Sequence, residues 1–515
     1  MLVCIYGARC IGIDAVKVTV EIEIGRGIGI HLVGLADIAV KESLLRTTTA
    51  LQALEYRIPG KKIVINLAPA DLHKRGSGYD LPIAVGIIAA SGQETFPDLS
   101  DYIIMGELGL DGSVRKICGA LPYAELASSL GLRGVILPLE SALEAADIRD
   151  IRVYGVSNLQ DVIRILSGGD GCEDLLVWNN CRYFSGPVEP PETRDMVDFA
   201  DIVGQEGAKR GLVIAASGGH NVILVGSPGS GKSSLAKALA GILPPMTREE
   251  SIVTSKIYST VGRGGPRVGL IRQRPFRAPH YSATVSALIG GGAGDSIMPG
   301  EVSLAQNGVL FLDEAGQMCR SSIEALRAPL EDRVVTVSRL RAKVEYPASF
   351  MLVAATNPCP CGYWGEDDRC NCTPMQRMNY LSRISGPMMD RIDIHLWLHS
   401  VPPEKLLEKG DAETSASVAA RVRAAREIQA ERFRDDNVNC NAEMSNRQVE
   451  RYCPLDDDCR ETLGRLMKNI GLSMRAYFRI IKVARSIADL EGSCCITPAH
   501  IMEAVTYRFL DEPMI

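Results

Sequence analysis

The stretch Asn221–Ser234, NVILVGSPGSGKSS, decides how this chain is read. Apolar and β-branched residues lead up to Gly226, and LAKALAGIL after Ser234 has helical spacing, so the segment reads as strand, loop, helix. The loop is Gly226-Ser227-Pro228-Gly229-Ser230-Gly231-Lys232-Ser233, the pattern G-x-x-x-x-G-K-S. Its glycines let backbone N–H groups turn inward around phosphates, and the following helix adds the positive end of its dipole. There Lys232 neutralises the β- and γ-phosphates of ATP and the Ser233 hydroxyl ligates Mg2+. Ser234, with Ile202 and Val203 ahead of the loop, completes the expected nucleotide-binding set.

Further along, GVLFLDE (Gly308–Glu314) is a buried-strand pattern ending in two acids. Following a phosphate loop, it reads as a strand whose Asp313 holds Mg2+ while Glu314 polarises the attacking water. FMLVAATNP (Phe350–Pro358) is another strand, and Asn357 at its end either orients that water or turns the chain before Pro358. In PMMDRIDIH (Pro387–His395), Arg391 either reaches a neighbouring subunit's γ-phosphate or pairs locally with Asp390 or Asp393. Arg475, in LSMRAYFRIIKVAR (Leu472–Arg485), sits near a helix start, where the dipole disfavours a cation. It answers an external anion there, or is an ordinary surface arginine.

The chain has 515 residues, with 56 Lys plus Arg against 62 Asp plus Glu. That length suggests about three domains at roughly 100–200 residues each. A hydrophobic share of 46% with 23% charged residues excludes bulk disorder. The net charge of −6 excludes coating of nucleic acid by overall charge, yet leaves room for a local basic channel. No segment approaches the ~20 apolar residues of a membrane helix, and the N-terminus lacks a signal-peptide pattern. The 15 cysteines are scattered through regular segments, as reduced thiols are in a cytoplasmic protein.

The expected organisation is an α/β domain over 1–166, a linker over 167–198, an α/β phosphate-loop core over 199–400 and a helical region over 401–515. In the first domain, Val16–Ile24, Lys61–Pro69, Tyr102–Leu108 and Gly134–Pro138 read as strands, and Ile38–Leu54 and Leu81–Ala90 as helices. Ser415–Arg434 and Ser473–Leu490 are long helices in the last region, and Thr497-Pro498 opens a final one.

Four cysteines stand apart in CPCGYWGEDDRCNC: Cys359, Cys361, Cys370 and Cys372. Four thiolates can close a tetrahedral Zn2+ site that pins a long loop, although C-x-C spacing is less usual than C-x-x-C. Reduced structural cysteines or a redox pair are the alternatives. From Ser251 to Gly294 the chain has six Lys or Arg and no acid, with Lys256, Arg272, Arg274 and Arg277 among them. Such a run suits phosphate contacts to DNA, and its alternative is a solvated basic surface. VVTVSRLRAKVEYP (Val334–Pro347) reads as a hairpin with Arg339, Arg341 and Lys343 near its tip, able to grip phosphates without reading sequence.

Taken in order, these motifs resemble the Mg-chelatase-like AAA+ family known as ComM or YifB across nearly the whole chain. RPFRAPHYSATVSALIGGG (Arg274–Gly292), PGEVSLAQNGVLFLDE (Pro299–Glu314), NLAPAD (Asn66–Asp71) and SGPMMDRIDIH (Ser385–His395) carry the resemblance. It implies a trans-acting arginine finger at Arg391, with Arg383 as runner-up, a sensor-1 role for Asn357 and a sensor-2 role for Arg475. It also implies a pore-facing insert between the two ATP motifs, a moving pore hairpin and a helical lid. The expected assembly is a hexameric ring that moves single-stranded and branched DNA at the cost of ATP, in homologous recombination and natural transformation, alongside recombination proteins. A chelatase-type motor that remodels a protein partner for metal insertion is the alternative. The first domain resembles Lon-type protease domains, but Asp80 and Pro122 stand where the nucleophilic serine and catalytic lysine belong, so no peptidase is expected.

Overall fold

The alternating run VKVTVEIEI forms part of a strand, Asp14–Gly25, with Val18, Val20 and Ile22 fully buried and Glu23 exposed. Period-two alternation of this kind is what a sheet with one covered face requires. The structure is a computed structural model that describes all residues except 1, 36, 75, 149, 178–196, 263–267, 293–296, 340–341, 367–368, 402–412, 437, 471–472 and 512–515. Most of the expected linker thus lies outside the described residues. Two units emerge: Met1–Glu192 with Thr247–Arg272, and Thr193–Met246 with Gln273–Ile515.

In the first unit seven strands form one mixed sheet. Their spatial order is Gly29–Val33, Lys62–Ala68, Asp14–Gly25, Leu2–Ile11, Tyr102–Ile104, Gly134–Pro138, Arg152–Val156. Leu2–Ile11 had no strand expectation. It is the ten-residue antiparallel partner of Asp14–Gly25, in register from Leu2 opposite Glu23 to Ile11 opposite Asp14. Its alternation is interrupted at Gly7 and Ala8, which hides the period in the sequence. The expected strand Tyr102–Leu108 is two pieces, Tyr102–Ile104 and Glu107–Leu108, and the second pairs with Val114–Arg115.

The apolar run Leu81–Ala90 is a helix, Asp80–Ser91, buried along almost its whole length. Gly86 lets it lie against the sheet, because a Cβ there would fall 2.3 Å from Ile22 Cδ1. At its first turn the buried Asp80 carboxylate takes two hydrogen bonds from the Arg46 guanidinium, at 2.7 and 3.1 Å, and one from the Leu108 N–H at 3.2 Å. Asp80 is a structural ion-pair partner. Arg248–Val261, expected within the phosphate-loop core, belongs instead to this unit and packs on the Ala120–Ser129 helix. The sequence concealed this because the partners of Thr247–Arg272 are more than a hundred positions away: Gly119 N–H donates to Ser259 O at 2.9 Å, and Leu270 N–H to Asp147 at 2.9 Å.

The second unit is built on a five-stranded parallel sheet in the order Phe276–Arg277, Val309–Leu312, Met351–Thr356, Val222–Gly226, Ile394–Leu398. Three central strands are buried on both faces and read as unbroken apolar runs. Helices Ser415–Arg432, Met474–Leu490 and Pro498–Thr506 belong to the same unit and share its core through Val418, Val422, Ile480, Ala484 and Ile501. Val334–Arg339 and Ala342–Pro347 form the expected hairpin.

Polar side chains tie the helical region to the sheet. His220 is fully buried, with Nδ1 3.2 Å from an Asp393 carboxylate oxygen and Nε2 2.8 Å from Ser486 Oγ. Burial holds the His220 pKa below its ordinary range, outweighing the upward pull of Asp393. Burial alone would raise Asp393, but the Arg479 guanidinium and His220 more than reverse it, so its carboxyl stays well below the usual range.

Two outcomes follow. Asp80→Ala leaves Arg46 without its acid and lowers the unfolding free energy by about 2–3 kcal/mol, under the full buried-pair figure because Arg46 is partly exposed. Urea unfolding of the two proteins measures this. Since folding lowers the pKa of both His220 and Asp393, the unfolded chain takes up protons first as pH falls. Stability from both is therefore present at neutral pH and is lost on acidification, first below about pH 6.5 for His220. Thermal midpoints between neutrality and about pH 5 fall in the wild type, and fall less steeply in His220→Gln.

Candidate functional site

Parallel strands place their C-terminal ends on one edge of a sheet, where following loops gather around a ligand. Here the three central strands end in the phosphate loop, in Asp313-Glu314 and in Asn357. Gly229 and Gly231 take φ of +81° and +88°, the left-handed region glycine favours, so the loop curls and the Lys232–Ile242 helix starts directly behind it. Ser230 Oγ is buried with no hydrogen-bond partner among the described residues, an orphan that a phosphate oxygen would satisfy.

Lys232 Nζ donates to Gly226 O at 2.7 Å, to Ser227 O at 2.8 Å and to Asn357 Oδ1 at 3.3 Å. Burial lowers its pKa, and the carboxylates of Asp313, Glu314 and Glu366 oppose that shift. Ser233 Oγ donates to Asp313 Oδ2 at 3.0 Å, an oxygen pair of the kind a hard divalent cation takes up. Glu314 is exposed and left-handed, with φ +50°, its N–H bonded to Asp313 Oδ1 at 2.9 Å. A non-glycine residue in that region is uncommon and carries local strain.

Beside the loop lies a pocket of about 600 Å3 walled by Gly204, Gln205, Trp397, His399, Ser400 and Phe509. Gln205 joins it to the phosphate loop, donating to His399 O at 2.6 Å and towards Ser230 O at 3.4 Å. Its aromatic wall suits a purine base. Ile202 is buried and Val203 half-buried just ahead of these lining residues. Sequence reasoning missed Gln205, whose contacts are made to residues far along the chain.

A second pocket, about 320 Å3, is lined by Arg333, Arg391, Arg475, Arg479 and Lys482 together with Glu331 and Asp393, and by no phosphate-loop residue. The two arginines singled out from sequence thus share one pocket. Arg391 pairs with neither acid expected of it: it bonds Glu331, Pro387 O at 2.7 Å and Arg327 O at 3.2 Å. Asp390 goes to Arg475 at 3.4 Å, and Asp393 to Arg479 and His220. Arg383 donates to Gly316 O at 3.2 Å.

The four clustered cysteines converge. Their sulfurs all lie within 4.8 Å of one another, with Cys359–Cys361 at 3.2 Å, Cys359–Cys370 at 3.7 Å and Cys361–Cys370 at 3.6 Å. Zn–S bonds of about 2.3 Å at tetrahedral angles put sulfurs roughly 3.8 Å apart, so the donor set fits that ion. Arg377 Nη2, 3.7 Å from Cys370 Sγ, offsets the negative charge four thiolates would bring.

The described candidate DNA contacts all have partners within the chain. Lys256 is nearly buried, its ammonium 2.5 Å from both Asp14 and Glu125, so this cation is already neutralised within the protein. Arg277 makes a two-pronged bond to Glu301 at 2.6 and 2.9 Å, and Arg274 donates to Pro244 O and Asn307 O. Arg272 and Lys343 are exposed, with Asp147 and Glu345 at 3.7 and 3.2 Å. Arg341 and the side chain of Arg339 lie outside the described residues.

Comparison with known proteins adds a family. Residues 198–406 match the family described as "Magnesium chelatase, subunit ChlI", 20–141 match "Subunit ChlI of Mg-chelatase" and 412–508 match "Magnesium chelatase, subunit ChlI C-terminal". "Uncharacterized protein YifB" of Salmonella typhimurium is 42% identical over 517 residues, covering 100% of this chain and 98% of its own. "Competence protein ComM" of Haemophilus influenzae is 42% identical over 512 residues, 98% and 97% of the two chains. More distantly, "DNA replication licensing factor mcm6" of Dictyostelium discoideum is 23% identical over 350 residues, 61% of this chain and 35% of that one. The shared AAA+ domain is in general an ATPase domain, using ATP with Mg2+. With the match running the length of the chain, this protein belongs to the Mg-chelatase-like ComM/YifB family.

Proposed function

We propose that this chain is an ATP-driven DNA translocase that promotes branch migration of recombination intermediates, working in the cytoplasm as a homo-hexameric ring. The observation that carries the reading is the division of the machinery into two half-sites. One holds Lys232, Ser233, Asp313, Glu314 and Asn357; the other holds Arg391 and Arg475, whose hydrogen bonds go to Glu331, Pro387, Arg327 and Asp390 and to none of those five. Each half is complete only against another copy, as a closed ring of head-to-tail interfaces would supply.

In this reading Lys232 and the loop N–H groups bind the phosphates, and Ser233 with Asp313 would hold Mg2+, which would supply positive charge against the phosphates. Glu314 takes the proton from the attacking water, and the Asn357 amide, held by Lys232, fixes that water's direction. Arg391 leaves Glu331 for the neighbour's γ-phosphate, and Arg475 leaves Asp390. Arg272 and Lys343 are the exposed cations offered to single-stranded or branched DNA, and the first unit serves as a platform. Four cysteines hold one structural Zn2+. The name of the Haemophilus relative supports a role in competence.

Glu314→Gln should keep ATP bound while turnover falls by about 10²–10⁴. Arg391→Ala should be equally inactive. Mixed in one ring, the two variants regain turnover, because some interfaces then pair an intact Glu314 with an intact Arg391. Absence of recovery sinks the shared-site reading. The activity itself is measured as ATP hydrolysis with and without four-way-junction DNA, alongside junction unwinding. Stimulation and unwinding are expected. If DNA neither speeds turnover nor is moved, remodelling of a protein partner takes its place.

A further inference from the structure

The cysteine loop is placed to do more than hold itself together. It runs from Pro358 to Thr373 and touches the nucleotide site at several points. Glu366 accepts hydrogen bonds from Ser227 Oγ, in the phosphate loop, and from Ser400 Oγ, in the wall of the 600 Å3 pocket. Gly362, at φ +88°, lies so close to the loop that a Cβ there would meet Pro228 Cδ at 2.9 Å. Trp364 stands edge-on to Trp397 of the pocket wall at 5.3 Å, and a Cβ on Gly365 would fall 2.8 Å from Trp397 Cζ2.

Little in the backbone fixes this loop. Gly362 N–H to Cys359 O and Glu366 N–H to Tyr363 O, at 3.0 and 3.1 Å, are turn bonds, and the described residues of the segment form no strand or helix. A loop of this length in a compact domain needs a clamp, and the four converging sulfurs can supply one.

We propose that a soft divalent metal, bound by Cys359, Cys361, Cys370 and Cys372, braces the nucleotide pocket through Glu366 and so sets its affinity for ATP. This rests on the tetrathiolate reading above. Glu366 acts as a positioning residue: one carboxylate holds the phosphate loop and the base-pocket wall at a fixed separation, and the metal-closed loop holds that carboxylate. Without the metal the loop loosens, Ser227 and Ser400 lose their common acceptor, and the pocket must be ordered at the moment ATP binds.

The test uses the full-length protein, with metal content by plasma emission and affinity for a fluorescent ATP analogue by titration. Four samples are compared: wild type and Glu366→Ala, each as purified and after stripping by a chelator. We expect one zinc per chain in both purified proteins. Stripping the wild type weakens analogue binding about tenfold, the scale of a lost hydrogen bond to a charged group, and added zinc restores it. Glu366→Ala keeps its zinc, binds the analogue about as weakly as stripped wild type, and loses little more on stripping, the non-additivity of one shared linkage. Zinc bound in full whose removal leaves affinity unchanged overturns the brace and leaves the metal site standing. Unchanged or tighter binding by zinc-loaded Glu366→Ala overturns Glu366 as the link. No metal, either bound or taken up, overturns the metal site and the brace together.

Discussion

The candidate site depends on what Asn221 holds. It stands one residue before the strand that ends in the phosphate loop and is almost fully buried. Its side-chain Oδ1 accepts from Leu352 N–H at 2.9 Å, in the strand that ends at Asn357, and its Nδ2 donates to Arg391 O at 2.9 Å. Its backbone oxygen accepts from the N–H groups of Asp393 and Ile394 at 3.0 and 3.1 Å. One amide thus joins the strands that lead to Lys232 and Asn357 and the turn that carries Arg391. Losing it would orphan a buried donor and a buried acceptor, each costing roughly 1–3 kcal/mol.

His220 extends the same junction. Its neutral ring joins Asp393 to Ser486 on the Met474–Leu490 helix, whose first turn bears Arg475 and whose next turn sends Arg479 to Asp393. The pocket containing Arg391 and Arg475 therefore has a rigid floor of buried, satisfied polar groups under a rim of exposed ones. The rim is the looser part: Arg475 is 66% exposed and Asp390 40%, so their pairing is screened by water and cheaply exchanged for a stronger anion.

How much of this was legible depended on how local each constraint is. The phosphate loop was legible because its chemistry needs glycines, lysine and serine at fixed offsets between a strand and a helix. Gly308–Glu314 and Phe350–Pro358 were legible because strands buried on both faces have nothing polar to dilute the run. The converging cysteines could be named because all four fall in fourteen residues. By contrast, the acid-free stretch from Ser251 to Gly294 looked like free positive charge, yet three of its four described cations meet acids from elsewhere in the chain. Asp14 and Glu125 take Lys256, Asp147 faces Arg272, and Glu301 takes Arg277. Charge counted in a sequence window says nothing about partners brought in by folding. Glu366 was invisible for the same reason, since a glutamate among DD and R in a loop carries no pattern.

The sheet explains why residues so far apart in sequence become one site. Successive parallel strands deliver their loops to the same edge, so Lys232, Asp313 and Asn357 need only follow their strands closely to meet. Ordered short loops accomplish this for the first two. After Asn357 the chain instead makes a long excursion before the helix at Pro374, against the wall of the 600 Å3 pocket. A long unpaired segment there would ordinarily be the least stable part of the site. Its contacts are the reverse of loose: two glycines flush against Pro228 and Trp397, and a carboxylate shared by two serines. Such contacts demand a fixed loop, backbone hydrogen bonds among its described residues are few, and the convergence of four sulfurs is a further constraint that the segment can supply.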